Sequence, residues 1–166
     1  GCSGGTSGSS LPDNSSTGWS DTRTISSTAG GITDIQVHLK IAGGFNGDLY
    51  AYLVHDSGFA VLLNRPGRTA ANPDGSFTTG VDAVFSSAAG MDAHDASGFT
   101  GTFQPDGRNV SPSTVTDASP RTAFLTSFNG CDPSGDWTLF IADLSPMFQS
   151  NVLEWGITIT AEAVAV

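Results

Sequence analysis

Basic residues are the scarcest resource in this chain: Lys40 is the only lysine, and with five arginines it stands against sixteen acidic residues, for a net charge of −10. So few cations cannot form the stripe that neutralises phosphates, which excludes nucleic acid as a partner, and an anionic membrane surface would repel the chain. No apolar run approaches the ~20 residues of a bilayer-spanning helix, so membrane insertion is not expected. Helical periodicity is missing too. Twenty-one glycines, eight prolines and abundant Ser and Thr interrupt the sequence every few residues, leaving no stretch with apolar positions at three- and four-residue spacing. Catalytic signals are equally thin. There are three histidines, His38, His55 and His94, and no Gly-x-Ser-x-Gly surrounds any serine, so no catalytic residue is assigned. His38 reads as a solvated side chain on the polar face of a strand, and His55 as a local turn contact beside Asp56.

What the sequence does contain is alternation. Ile35, Val37, Leu39 and Ile41 alternate with Gln36, His38 and Lys40; Leu49, Ala51 and Leu53 with Tyr50, Tyr52 and Val54; Leu153, Trp155, Ile157 and Ile159 with Glu154, Gly156, Thr158 and Thr160. Period two is the mark of half-buried strands. Strands are predicted near 22–27, 32–42, 48–55, 59–64, 81–86, 99–103, 122–127, 137–143 and 153–161. The fold class is all-β, an antiparallel sandwich or jelly roll, and 166 residues suffice for one domain with its own core. Residues 1–10 (GCSGGTSGSS) read as a flexible linker and 11–166 as the domain. The polar stretches 67–79 and 104–120 read as surface loops, with functional use and tolerated insertion both open.

The acidic, lysine-poor, Ser/Thr/Gly/Asn-rich composition points to a secreted or cell-surface bacterial protein. Residues 1–10 contain no apolar leader, and a fragment of a longer polypeptide is the favoured reading. In that compartment the cysteine pair, Cys2 and Cys131, invites a disulfide. It would close a loop of ~130 residues, for which chain entropy sets an upper value of about 5 kcal/mol. The alternative is an unpaired Cys2 with Cys131 as a small buried side chain.

Three further groups are candidates for chemistry. Asp48 opens one strand and Asp143 ends another, so antiparallel pairing would bring both carboxylates to one end of the sandwich. With Asp13, backbone carbonyls and water they would form a calcium site; the alternative is that both aspartates pin turns. Asp92-Ala93-His94-Asp95 reads as a solvated loop, since adjacent loop residues rarely converge on one ion. Trp155 is in phase with the apolar face of its strand and Trp137 is expected to pack as well, which leaves Trp19, with Tyr50 and Tyr52, as a weak aromatic ligand site.

An ordered set of motifs spans residues 11–160: Leu11-Pro12-Asp13-Asn14, Ile35-Gln36-Val37-His38-Leu39, Gly47-Asp48-Leu49-Tyr50-Ala51-Tyr52-Leu53, Gly101-Thr102-Phe103-Gln104-Pro105, Gly135-Asp136-Trp137-Thr138-Leu139 and Leu153-Glu154-Trp155. In this order they resemble the P domain (P/Homo B domain) of kexin- and furin-like proprotein convertases. The family's Ser-Pro-x-Gly turn is replaced here by Val54-His55-Asp56-Ser57-Gly58, which keeps the glycine. The resemblance implies a jelly-roll-like sandwich that is not itself catalytic and that stabilises a neighbouring subtilisin-type serine protease domain in the same polypeptide. The rival expectation is a stand-alone adhesion module for a glycan or a cell-surface protein.

Overall fold

The computed structural model describes residues 2–4, 9–146 and 148–164. The described strands are β1 (Cys2–Gly4), β2 (Ser9–Ser10), β3 (Trp19–Ile25), β4 (Ile32–Phe45), β5 (Leu49–His55), β6 (Gly58–Asn64), β7 (Thr79–Ser86), β8 (Thr100–Phe103), β9 (Gly135–Asp143) and β10 (Ser150–Ala161), with short 3-10 turns at 46–48, 93–95 and 125–128. They form two sheets. The first is ordered β1-β10-β4-β7-β8, with β2 also pairing β10, and the second β3-β9-β5-β6. Neighbours run antiparallel apart from β7 and β8. The all-β sandwich expected from the alternation is the observed fold.

The core lies between the sheets, where the alternating residues place it. Ile35, Val37, Leu39 and Ile41 of β4 face Leu49, Ala51 and Leu53 of β5 and Trp137, Leu139 and Ile141 of β9, all of them buried. Both buried tryptophans find partners for their indole N–H, as desolvated polar groups must. Trp137 Nε1 donates to the Pro133 carbonyl at 3.0 Å. Trp155 Nε1 donates to Asp21 Oδ2 at 2.8 Å, and the Arg23 guanidinium sits 4.5 Å above the same ring.

Three expectations need correction. In β10 the alternation breaks at a bulge between Val152 and Glu154, so Val152 occupies the core and Leu153 is turned out of it, because one extra residue reverses the facing of those before it. The predicted strand at 122–127 is instead irregular chain leading into the 3-10 turn Leu125–Phe128. Residues three apart stack on one side of such a turn, so Leu125 and Phe128 both reach the core. Within the predicted linker, 2–4 and 9–10 pair with β10. Its unpaired backbone edge accepts a strand without any apolar side chain being needed. Cys131 is a free, buried thiol 3.7 Å from Ser57 Oγ; the side chain of Cys2, the other half of the expected bridge, lies outside the described residues.

Candidate functional site

At one end of the sandwich, Leu49 stands opposite Asp143 in the β5–β9 register, and this brings Asp48 and Asp143 together as the strand-end argument requires. The Leu144 N–H donates to the Asp48 carbonyl and the Ser15 N–H to the Asp143 carbonyl, each at 2.9 Å, which ties the segment following Asp13 to the same end. Gly47 is needed beside Asp48 because a Cβ there would lie 2.5 Å from the Ser76 amide nitrogen.

This end is electrostatically loaded. Asp143 is fully buried and its Oδ2 has no hydrogen-bond partner among the described residues, while Oδ1 accepts from the Ser145 N–H at 3.3 Å. Burial, with the charges of Asp48 and Asp13 adding to it, pushes the Asp143 carboxyl up to about 6 against the Ser145 N–H and Arg65. Asp48 is raised for the same main reason, with Ser145 and Arg65 opposing and Asp13 and Asp74 adding. The Arg65 guanidinium lies 3.8 Å from Asp48 Oδ1, and its Nε donates to the Gly47 carbonyl at 2.9 Å. Asp13 is exposed and acts on both buried carboxylates through its charge. Among the described residues no three His, Cys, Asp or Glu side chains are placed to hold a metal ion by themselves. A cation here would rest on Asp48 and Asp143, with the balance from carbonyls and water. The unpartnered Asp143 Oδ2 and the two destabilised carboxylates fit a hard, oxygen-seeking cation.

The three histidines are engaged elsewhere. His38 is on the outer face, as expected, between Asp82 at 3.0 Å and Glu154 at 3.4 Å. His55 corrects its turn assignment: it is buried, stacks on Trp137 with centroids 3.8 Å apart, and holds the distant carbonyls of Asp136 and Asp132 at 2.8 and 2.7 Å. His94 departs further from expectation. The 92–95 segment is not a solvated loop, because His94 is fully buried, with Nδ1 at 2.8 Å from Asp106 Oδ2 and Nε2 donating to the Arg68 carbonyl at 2.8 Å. Asp92 caps the 93–95 turn through the His94 N–H and pairs with Arg108 at 3.0 Å, while Asp95 stays exposed. Desolvation pulls the His94 imidazole down, but the Asp106 hydrogen bond and charge, together with the Arg68 carbonyl, leave it raised. The same network converts the 104–120 stretch from a plain surface loop into an anchored one, since Asp106 and Arg108 are themselves buried. Sequence reading missed this because the partners lie on separate segments.

Trp19 does not join the two tyrosines. It shares the inner face of the second sheet with Ile141, its register partner, and packs on the core edge. The residue that does join them is Phe140, stacked on Tyr52 at 4.8 Å and 18° and lying 6.2 Å from Tyr50. Its outward phase against Trp137, Leu139 and Ile141 was the available signal. A second aromatic group surrounds Phe45, whose ring lies 5.3 Å from Phe77 and 5.1 Å from Phe148. Phe77 and Phe148 are 63% and 58% exposed.

No protein-family model matches the chain, and no curated protein does. Among solved structures, a chain of the complex between an Aeromonas sobria serine protease and its chaperone matches with a TM-score of 0.50 and 12% identity, over 94% of this chain and 25% of that one. The likeness is one of fold, and this chain spans about a quarter of the length of that neighbour.

Proposed function

We propose that this is a P-domain-like accessory unit of a secreted, bacterial serine protease, without catalysis of its own, which docks on a neighbouring domain of the same polypeptide and stabilises it. The observation that carries this reading is the exposed phenylalanine cluster. Phe77 and Phe148 present two largely uncovered rings, and Phe77 also lines an open groove of about 700 Å³ with Ile41, Val81, Phe99 and Leu153. Leu153 belongs to that surface because of the β10 bulge. Contiguous exposed apolar area rimmed by polar groups marks an interaction face, and domain interfaces within one chain typically bury ~600–1,500 Å². Two further points support the reading. Each histidine has both ring nitrogens set against carboxylate or carbonyl oxygens, and the fold neighbour is a much longer chain from a complex of a serine protease with a chaperone.

The acidic end is proposed to hold calcium through Asp48 and Asp143, with Asp13 contributing charge at its edge. The ion would act structurally, fixing the 13–16 and 144–146 segments against the strand ends.

The test of docking uses the native polypeptide that carries this domain, first identified by its intact mass. A chain far larger than 17.0 kDa with a subtilisin-type Asp, His and Ser set is expected. Phe77→Ser with Phe148→Ser should lower the melting temperature of the neighbouring domain by roughly 5 °C while leaving the isolated 166-residue domain unchanged. A mature product of 17.0 kDa, or a neighbour indifferent to both substitutions, would refute the reading.

A further inference from the structure

The outer face of the second sheet carries a second, chemically different surface. Tyr50 and Tyr52 of β5 and Phe140 of β9 floor a groove of about 500 Å³, and its rim includes Ser16, Arg65, Ser111 and Ser113. Its volume falls within the ~300–1,000 Å³ of small-ligand clefts. The groove shares no residue with the phenylalanine cluster.

Its walls are built in advance of any ligand. The Arg68 guanidinium donates to the Pro112 carbonyl at 2.9 Å and the Ser113 carbonyl at 3.2 Å. The amide of Asn64, itself fully buried, donates to the Arg108 and Val110 carbonyls at 2.8 and 3.0 Å. These bonds fold the 104–120 segment over the sheet. On the other side the chain closes on Phe140 at Gly18, where φ is +62° and a Cβ would come 2.6 Å from the ring. A preorganised groove spends less of its binding free energy on ordering.

We propose that this groove binds a neutral oligosaccharide, with a pyranose face against the Tyr50 ring, the stacked Tyr52–Phe140 pair beside it, and sugar hydroxyls bonded to the serine and arginine rim. The lining decides the class of ligand. Although the chain has sixteen Asp and Glu residues, none lines this groove among the described residues, and its one cation, Arg65, is already compensated by Asp48, the Gly47 carbonyl and Ser145 Oγ. A charged ligand therefore finds no uncompensated counter-charge. A sugar ring, apolar on its C–H face and hydroxylated at its edge, complements aromatic floor and hydroxyl rim together. Tyr50 stands at 62° to Tyr52, outside the Tyr52–Phe140 stack. Peptide addition to the sheet is disfavoured, because β5 and β9 are both interior strands and offer no free backbone ladder.

The 166-residue chain is titrated with β-1,4-linked glucose, xylose and N-acetylglucosamine oligomers, followed by saturation-transfer NMR and calorimetry. At least one oligomer should bind saturably, with Kd near ~0.1–1 mM. Tyr50→Ala should weaken it about tenfold and Tyr50→Phe less than about threefold, the ring being the principal contact. Ser113→Trp, at an exposed rim position, should block the groove without disturbing the strands, which keeps the test decisive if Tyr50→Ala fails to fold. No saturable binding up to about 10 mM, binding unaffected by Ser113→Trp, or a proline-rich peptide saturating the groove where all sugars fail, would each overturn the proposal.

Discussion

Replacing Asp143 by Asn separates the cost of the buried carboxylate from its use. The carboxyl is raised from 3.8 to about 6, chiefly by burial, which at neutral pH corresponds to about 3 kcal/mol held against the ionised folded state. The sign follows from the direction: a group with a raised folded-state value contributes its full stability below pH 3.8 and loses it as pH rises through about 6. Asparagine keeps an oxygen to accept the Ser145 N–H and removes the charge. In chelator at about pH 7.5 the variant should therefore melt higher than wild type by roughly 6–12 °C, at ~2–4 °C per kcal/mol for a domain of this size. The difference should vanish by about pH 4. Calcium should close most of that gap. At one hundred times its Kd it would add about 2.7 kcal/mol to wild type and far less to the variant. Thermal melts of both proteins, with chelator and with millimolar calcium at the two pH values, give the complete comparison. A metal-free variant that melts lower than wild type at about pH 7.5, or a difference that persists in acid, would refute the burial argument. A wild-type melting temperature unmoved by calcium would refute the cation.

Other outcomes follow from the same geometry. His94→Ala should cost about 3–5 kcal/mol in urea unfolding, because Asp106 is left buried with one of its cations gone; a loss below about 1 kcal/mol would show the pair to be dispensable. His94 is raised, so its contribution is complete below its unfolded value of 6.5 and fades as pH climbs through the folded one. Since Asp143 has the same sign, chelated wild type should melt higher at about pH 5 than at about pH 8. A flat or opposite profile would contradict both assignments. Val152→Ala should cost about 2 kcal/mol, while Leu153→Ala should stay below about 1 kcal/mol, a contrast that unfolding curves would resolve. Equal costs would mean the bulge is misplaced.

The sandwich was legible because its inner faces are written as alternation in β4, β5 and β9, and each runs without interruption through the middle of a sheet. The union of Asp48 with Asp143 was legible for a related reason: strand ends that pair antiparallel must meet, and both aspartates flank strong strand signals. β10 defeated the same rule at one point. A bulge is a property of the pair, fixed by how Val152, Leu153 and Glu154 pass Ile41 and Lys40, and Leu153 looks identical in sequence whether it faces in or out. The network of Asp92, His94, Asp106 and Arg108 was hidden because polarity alone suggests solvent, whereas mutual satisfaction of hydrogen bonds permits burial. Phe140 was recoverable from its phase. Phe77 was not, since no periodicity governs the loop that carries it.

The buried histidine and the groove wall form one mechanical unit, with Arg68 as the link. Its carbonyl takes the His94 Nε2 hydrogen bond and its guanidinium holds the Pro112 and Ser113 carbonyls. Asp106, on the other side of His94, is itself fixed by the Asn64 N–H and by Arg108, while the Asn64 amide holds the Arg108 and Val110 carbonyls. Apart from the Asp106–Arg108 pair, every bond in this circuit joins the 64–68 segment to the 104–113 segment directly or through His94. Two long polar segments that seemed independent in sequence thus brace one another. Among the described residues Asn64 Oδ1 and the Nε atoms of Arg68 and Arg108 are buried without a hydrogen-bond partner, so the circuit holds by pairing its charges, and a single unpaired buried charge would outweigh the bonds that remain. The wall over the Tyr50 groove therefore owes its position to chemistry that never touches the groove.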